Sequence, residues 1–210
     1  MLYIYKINLE SDNNISSGPA GADGPGFICQ CIIDAQKMHQ FLCGLVHSDR
    51  KAANLLYKLD EENGYLFLQS DIHPDESQCL KLLYTVDIDN ILSKRANQSL
   101  IHFRLTTDTH RKRTDGSGIT KKVHVPRDEI LPWIVQKLAR YGVNVLSIEE
   151  IQKKNISFKH TKKRGGYATI TTHEFEIEGI ITDINLLRQA WRNGMGEHKA
   201  YGNGLFLLCR

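Results

Sequence analysis

The residues of this 210-residue chain best suited to chemistry are two clusters of cations, a glycine-rich segment and one histidine. Arg111-Lys112-Arg113 and Lys121-Lys122 flank the turn Asp115-Gly116-Ser117-Gly118. Lys159, Lys162, Lys163 and Arg164 crowd a hairpin read between residues 155 and 171, and no acid occurs between Gln152 and His173. A two-stranded ribbon tipped with cations suits phosphate contact, where each neutralised phosphate releases counterions. The same residues also fit a hairpin kept soluble by its charge. The segment Gly194-Met-Gly-Glu-His-Lys-Ala-Tyr-Gly-Asn-Gly204 places Lys199 at the centre of a permissive backbone. It lacks Gly-Lys-Ser/Thr and lies between a helix and a strand, so it is neither a P-loop nor a dinucleotide fingerprint. Backbone N–H groups there, Gly194 and Gly196 included, suit an approach to phosphate. A glycine-rich connection of purely structural purpose fits equally well. His39 sits one residue from the apolar stripe of a helix, at its boundary with solvent or a cleft.

Charge is distributed unevenly. The net charge is only +3, but residues 1–100 carry 8 Lys/Arg against 13 Asp/Glu, and residues 101–210 carry 19 against 11. An acidic half joined to a basic half points to an anionic partner. An apolar fraction of 41% and a charged fraction of 24% are those of a soluble globular protein and exclude collagen-like and extensively disordered classes. Five cysteines without framework spacing predict free thiols in a reducing cytoplasm. No apolar run approaches the eighteen or so residues a membrane span needs. Neither His-Glu-x-x-His nor paired C-x-x-C occurs, so nothing demands a metal or another cofactor.

The positioning elements follow from periodicity. Residues 2–9 alternate as a strand, and residues 10–26, with four glycines and two prolines, read as a mobile loop. Ala35, Met38, Leu42, Leu45 and Val46 define a helix N-capped by Asp34. Strands over 55–60 and 64–70 flank a polar turn. The second half begins with a strand over 100–106 and a turn-rich basic stretch to Gly118. A helix then opens at Pro126, buries Ile130, Ile134 and Leu138, and stops at Gly142. Strands near 143–148, 155–161 and 167–178, a helix over 183–192 and a strand over 205–208 complete the chain. Strand, helix, strand, strand begins a ferredoxin-like unit. The reading is α+β, two tandem ferredoxin-like (RRM-like) domains over 1–97 and 98–210.

In their order along the chain, these pieces resemble the CasE (Cse3) family of CRISPR repeat endoribonucleases from type I-E systems. Gly194-Met-Gly-Glu-His-Lys-Ala-Tyr-Gly-Asn-Gly-Leu-Phe-Leu-Leu208 resembles that family's closing G-x-G-x-x-K-A-x-G-x-G-L-L signature. Met38-His39, Leu56-Tyr57-Lys58, Leu66-Phe67-Leu68-Gln69-Ser70 and Phe103-Arg104-Leu105 match further, so the similarity spans nearly the whole chain. Loop 10–26 is longer and richer in glycine than the family's.

The resemblance implies a metal-independent endoribonuclease that binds the stem-loop of CRISPR repeat RNA and cuts at the 3′ base of the stem. It leaves a 2′,3′-cyclic phosphate on a guide RNA that stays with Cascade-type effector subunits. His39 would take or give a proton and Lys199 would stabilise phosphorane charge. Arg104, Arg111, Arg113, Lys121, Lys162, Lys163 and Arg164 would contact RNA as a group. One departure stands out: some members carry tyrosine three residues before the histidine, where this chain has Gln36. A glutamine bonds a phosphate or a 2′-hydroxyl but is no acid at neutral pH, so either another group assists or cleavage is slower. His198 beside Lys199 is a candidate substitute, and equally reads as an exposed loop histidine. Gln36 also favours a second reading, a non-catalytic subunit that only holds the guide in an effector complex. A third is an RRM-like protein unrelated to CRISPR.

Overall fold

The computed structural model describes residues 1–7, 31–159 and 167–209. Loop 10–26 and the tip carrying Lys162, Lys163 and Arg164 lie outside them. Two four-stranded antiparallel sheets build the molecule. In the first, β1 (Leu2–Ile7) leads to helix α1 (Ala35–Leu45), and β2 (Leu56–Asp60) and β3 (Tyr65–Gln69) follow as a hairpin. With β4 (Leu80–Val86) the strand order is β2-β3-β1-β4, the ferredoxin-like order, although no helix separates β3 from β4. Asp34 caps α1 as its sequence predicts, its carboxylate accepting from the Gln36 N–H. Met38, Phe41, Leu42 and Leu45 bury one face of α1 against Tyr3, Tyr5, Ile7, Leu66 and Leu68. That packing leaves the opposite stripe of α1 available for a site.

A short helix α2 (Ile88–Ser93) precedes the second sheet. Its strands are β5 (Leu100–Asp108), β8 (Val143–Lys159), β9 (Tyr167–Ile181) and β10 (Phe206–Leu208), ordered β10-β5-β9-β8. Helices α3 (Ile130–Ala139) and α4 (Ile184–Asn193) complete a βαββαβ unit. Ile130, Ile134, Leu138, Leu187 and Trp191 pack on Phe103, Phe175, Ile177 and Phe206. Trp191 stacks on Phe206 with ring centroids 5.1 Å apart. This core continues into Leu2, Leu56, Ile88 and Leu92 of the first half, so the two sheets share buried apolar surface.

The strands expected near 143–148 and 155–161 are one strand, β8, carried past Gln152 by two register shifts. The bulges absorb the run whose irregular alternation suggests a break. The basic stretch expected as turn forms its own hairpin, β6 (His110–Thr114) with β7 (Thr120–His124), inserted between β5 and α3. A 3₁₀ turn (Arg127–Glu129) after Pro126 leads into α3, and Gly142 follows with φ +77°. Strand β4 and helix α2 have no counterpart in the sequence reading.

Candidate active site

Gln36, His39 and Cys43 fall on one stripe of α1, at successive spacings of three and four residues along its partly exposed side. The half-buried His39 imidazole lies with Nδ1 3.7 Å from Cys43 Sγ. Burial, and then the positive charge of Arg50, pull its pKa below the ordinary histidine value. The imidazole is therefore neutral and basic at neutral pH. Arg50 is a residue the sequence reading missed. It stands in a turn after α1 where Asp49 Oδ1 accepts from the Lys51 and Ala52 N–H groups. An arginine in an acidic half is the only signal that could have marked it.

The opposing wall is the glycine loop between α4 and β10. It is folded inward by its own backbone: Met195 N–H donates to Gly204 O at 3.0 Å, and Gly204 N–H to Thr106 O at 2.7 Å. Gly196, with φ +89°, sits so close to β5 that a Cβ there would lie 2.3 Å from Thr107 Oγ1. Only glycine fits both the conformation and the space. Gly194 ends α4 with φ +70°. These glycines pack the loop onto β5 and the end of α4.

Lys199 opens a single 3₁₀ turn (Lys199–Tyr201), and its Nζ donates to Asn193 O at 2.7 Å, the last residue of α4. Burial lowers the pKa of this ammonium, and the nearby charges of Arg50 and Lys137 lower it further. The Arg50 charge thus acts on both His39 and Lys199. Tyr201, two residues on, donates its hydroxyl to Gln36 Oε1 at 3.1 Å. Tyr57 Oη, from β2, donates to Ala200 O at 3.4 Å and pins the turn. The structure therefore sets the α1 stripe of Gln36 and His39 against the turn that Lys199 opens, joining parts of the chain that the sequence could join only by motif.

His198, offered by the sequence as a substitute acid, takes another position. Its Nδ1–H donates to the buried Asp108 Oδ2 at 3.2 Å, on the second sheet. Asp108 also accepts from the Glu197 N–H at 3.0 Å and lies 3.3 Å from His110 Nδ1. Burial alone would raise the carboxyl pKa, but the His198 and Glu197 bonds outweigh it and hold the group at about 2. Among the described residues, no group of three or more His, Cys, Asp or Glu is arranged to hold a metal ion.

Cations extend from this point along the second half. On the β6–β7 hairpin, Lys112 is directly opposite Lys122, and Arg113 directly opposite Lys121. Like charges in opposed positions weaken a ladder, so this placement favours a polyanion over the fold. Arg111 pairs with Glu129 at 2.5 Å, Lys121 with Asp115 at 3.7 Å, and Lys122 with Glu197. Arg104 lies apart on β5, bonded by Nε to Glu176 Oε2 at 2.8 Å. Between the hairpin and α3 runs a groove of about 430 Å³ lined by Arg111, Lys112, Lys122, Lys137 and Arg140. Lys137 Nζ sits 4.4 Å from the Trp133 ring centroid. The groove reaches Gly196 and Glu197, so it is continuous with the glycine loop. Lys137 and Arg140 escaped the sequence reading because they sit on α3 and at its C-cap, outside any basic run.

Two ferredoxin-like sheets, a helix histidine and a glycine loop bearing a lysine define a chain of the CRISPR-associated class. The family described as CRISPR associated protein matches residues 2–210, and the chain belongs to that family. In fold it is similar to a CRISPR endoribonuclease Cse3 solved bound to a 19-nucleotide RNA. The TM-score is 0.75 and the identity 17%, over 100% of this chain and 98% of that one. The CRISPR-associated protein Cas6e from Escherichia coli K-12 is similar with TM-score 0.67 and 21% identity, over 99% and 98%. A chain of a CRISPR RNA-guided surveillance complex in a pre-nicking state gives 0.67 and 18%, over 99% and 98%. No curated protein matches the chain in sequence. No helix among the described residues is long and apolar enough to cross a membrane.

Proposed function

We propose that this protein is a metal-independent endoribonuclease that binds the stem-loop of a CRISPR repeat RNA and cuts at the 3′ base of the stem. The observation that carries this reading is that α1, which bears His39, meets the turn opened by Lys199 through the Tyr201–Gln36 hydrogen bond, while the same glycine loop lines a cationic groove at Gly196 and Glu197. An A-form stem offers its phosphates and shape, and the hairpin and α3 cations are placed to take them. Neutral His39 removes the proton of the ribose 2′-hydroxyl at the cut site. The 2′-oxygen attacks phosphorus, forming one P–O bond as the P–O5′ bond breaks. The leaving 5′-oxygen takes a proton from solvent, giving a 2′,3′-cyclic phosphate and a 5′-hydroxyl. Lys199 and Arg50 offset the charge that accumulates on the phosphorane oxygens. Similarity of fold to a chain of a surveillance complex supports retention of the cut RNA with Cascade-type subunits.

The test is incubation of the protein with a repeat stem-loop RNA in excess EDTA. One cut at the stem base, with a cyclic phosphate end, is expected. An uncut stem-loop bound by the protein would instead favour a non-catalytic guide-holding subunit.

A further inference from the structure

We propose that the Tyr201 hydroxyl is a further catalytic group of this site, donating a hydrogen bond to a non-bridging oxygen of the scissile phosphate. The inference rests on the nuclease reading above and adds a residue that neither composition nor motif singles out.

Its basis is the order of groups along two facing elements. On α1, Gln36 stands one turn before His39 and Cys43 one turn after it. Cys43 lies at the Arg50 end, where the Arg50 backbone bonds its sulfur. The turn facing this stripe runs in the opposite sense. Tyr201 lies at Gln36, with 3.1 Å between Oη and Oε1, and Lys199 lies within the field of Arg50. Along α1, His39 therefore lies between the Gln36 end, where the phenol bonds, and the Cys43 end, on which the charge of Arg50 acts. Such an order suits a phosphate whose 2′-oxygen faces the imidazole.

The phenol has the right protonation state for a donor. Burial pushes its pKa above the ordinary tyrosine value, and nearby Asp34 pushes it further in the same direction. The backbone is held on either side of Tyr201, because Tyr57 bonds the Ala200 carbonyl and lies against Gly202. In the free protein the neutral Gln36 carbonyl accepts the phenol proton. A phosphate oxygen is a charged and stronger acceptor, so rotation about the C–O bond alone transfers the donor to RNA. Gln36 then acts as a positioning residue, keeping the hydroxyl aimed at the site before substrate arrives.

The experiment compares the unaltered protein, Tyr201→Phe, Gln36→Ala and the double variant in single-turnover cleavage of a repeat stem-loop. Each substrate is made with oxygen or with sulfur at either non-bridging position of the scissile phosphate. Affinity is read on an RNA lacking the attacking 2′-hydroxyl, and folding by thermal melting. Tyr201→Phe is expected to melt as the parent does and bind within about twofold. Removing one such donor should slow cleavage about a hundredfold. Sulfur at one of the two positions should slow the parent but not Tyr201→Phe, because the bond it weakens is already absent. Gln36→Ala should slow cleavage less, and adding it to Tyr201→Phe should cost nothing more. Cleavage by Tyr201→Phe at the parental rate, or a sulfur effect undiminished in it, would overturn the proposal. A variant that melts early and loses RNA affinity in proportion would also overturn it, assigning Tyr201 to the fold. Failure of the unaltered protein to cut any stem-loop would overturn the nuclease reading and this proposal with it.

Discussion

His198 Nδ1 lies 3.2 Å from Asp108 Oδ2 and ties the centre of the glycine loop to the end of β5. The same carboxylate accepts from Glu197 N–H, so the residues just before Lys199 are held by one buried acid. Lys199 is therefore placed by β5 as well as by α4.

Asp108→Asn should lower folding stability by about 2 kcal/mol at neutral pH, since each unit of pKa depression corresponds to roughly 1.4 kcal/mol. The folded pKa of about 2 lies below the ordinary 3.8. The carboxylate's contribution is thus complete above pH 3.8 and is lost as pH falls towards 2. Urea unfolding across that window should show parent and variant converging. Parallel curves would assign the acid sensitivity to other carboxylates.

Arg50→Gln should move the acid limb of the cleavage pH profile to higher pH. Arg50 disfavours the protonated imidazole, so its removal lets His39 protonate earlier and lose its basic form sooner. Titration of the His39 ring by NMR should shift in the same direction. An unmoved limb would detach Arg50 from His39.

Helix α1 was legible because Met38, Leu42 and Leu45 recur at helical spacing and Asp34 caps it, both set by neighbours in sequence. The second-half helices were equally plain for the same reason. Strand β4 was not, because Leu82, Leu83 and Tyr84 are all exposed and their order carries no alternation. Hairpin β6–β7 escaped because a strand of cations has no apolar face to announce it. Within the site, His39 and Lys199 were found through motif. The Gln36–Tyr201 bond depends on α1 meeting the glycine loop, and the role of Lys137 on α3 meeting the hairpin, contacts made by tertiary packing alone.

Lys58 of β2 and Glu174 of β9 form an ion pair across the two sheets, with side chains only 16% and 9% exposed. Lys58→Ala leaves the carboxylate buried without its partner and should cost about 3–5 kcal/mol in urea unfolding. Replacing both, as Lys58→Met with Glu174→Leu, should recover most of that loss. Equal destabilisation by the single and double changes would refute the account of this pair.

Arg113 and Lys121 oppose one another on the exposed hairpin. Changing each to Gln should weaken RNA binding evenly across sequences and reduce the salt slope by about 1 per cation removed. Thermal stability should hold or rise, because a like-charge pair is relieved. A salt slope left intact would place the RNA elsewhere.

The central claim is that His39 is the proton-transfer group of an RNA-cutting site that needs no metal. Its most direct test is single-turnover cleavage of a repeat stem-loop in EDTA by the parent and by His39→Ala, with affinity measured on the same RNA. The predicted result is a cut by the parent, a loss of about a hundredfold or more in the variant, and unchanged binding. Undiminished cleavage by His39→Ala would contradict it.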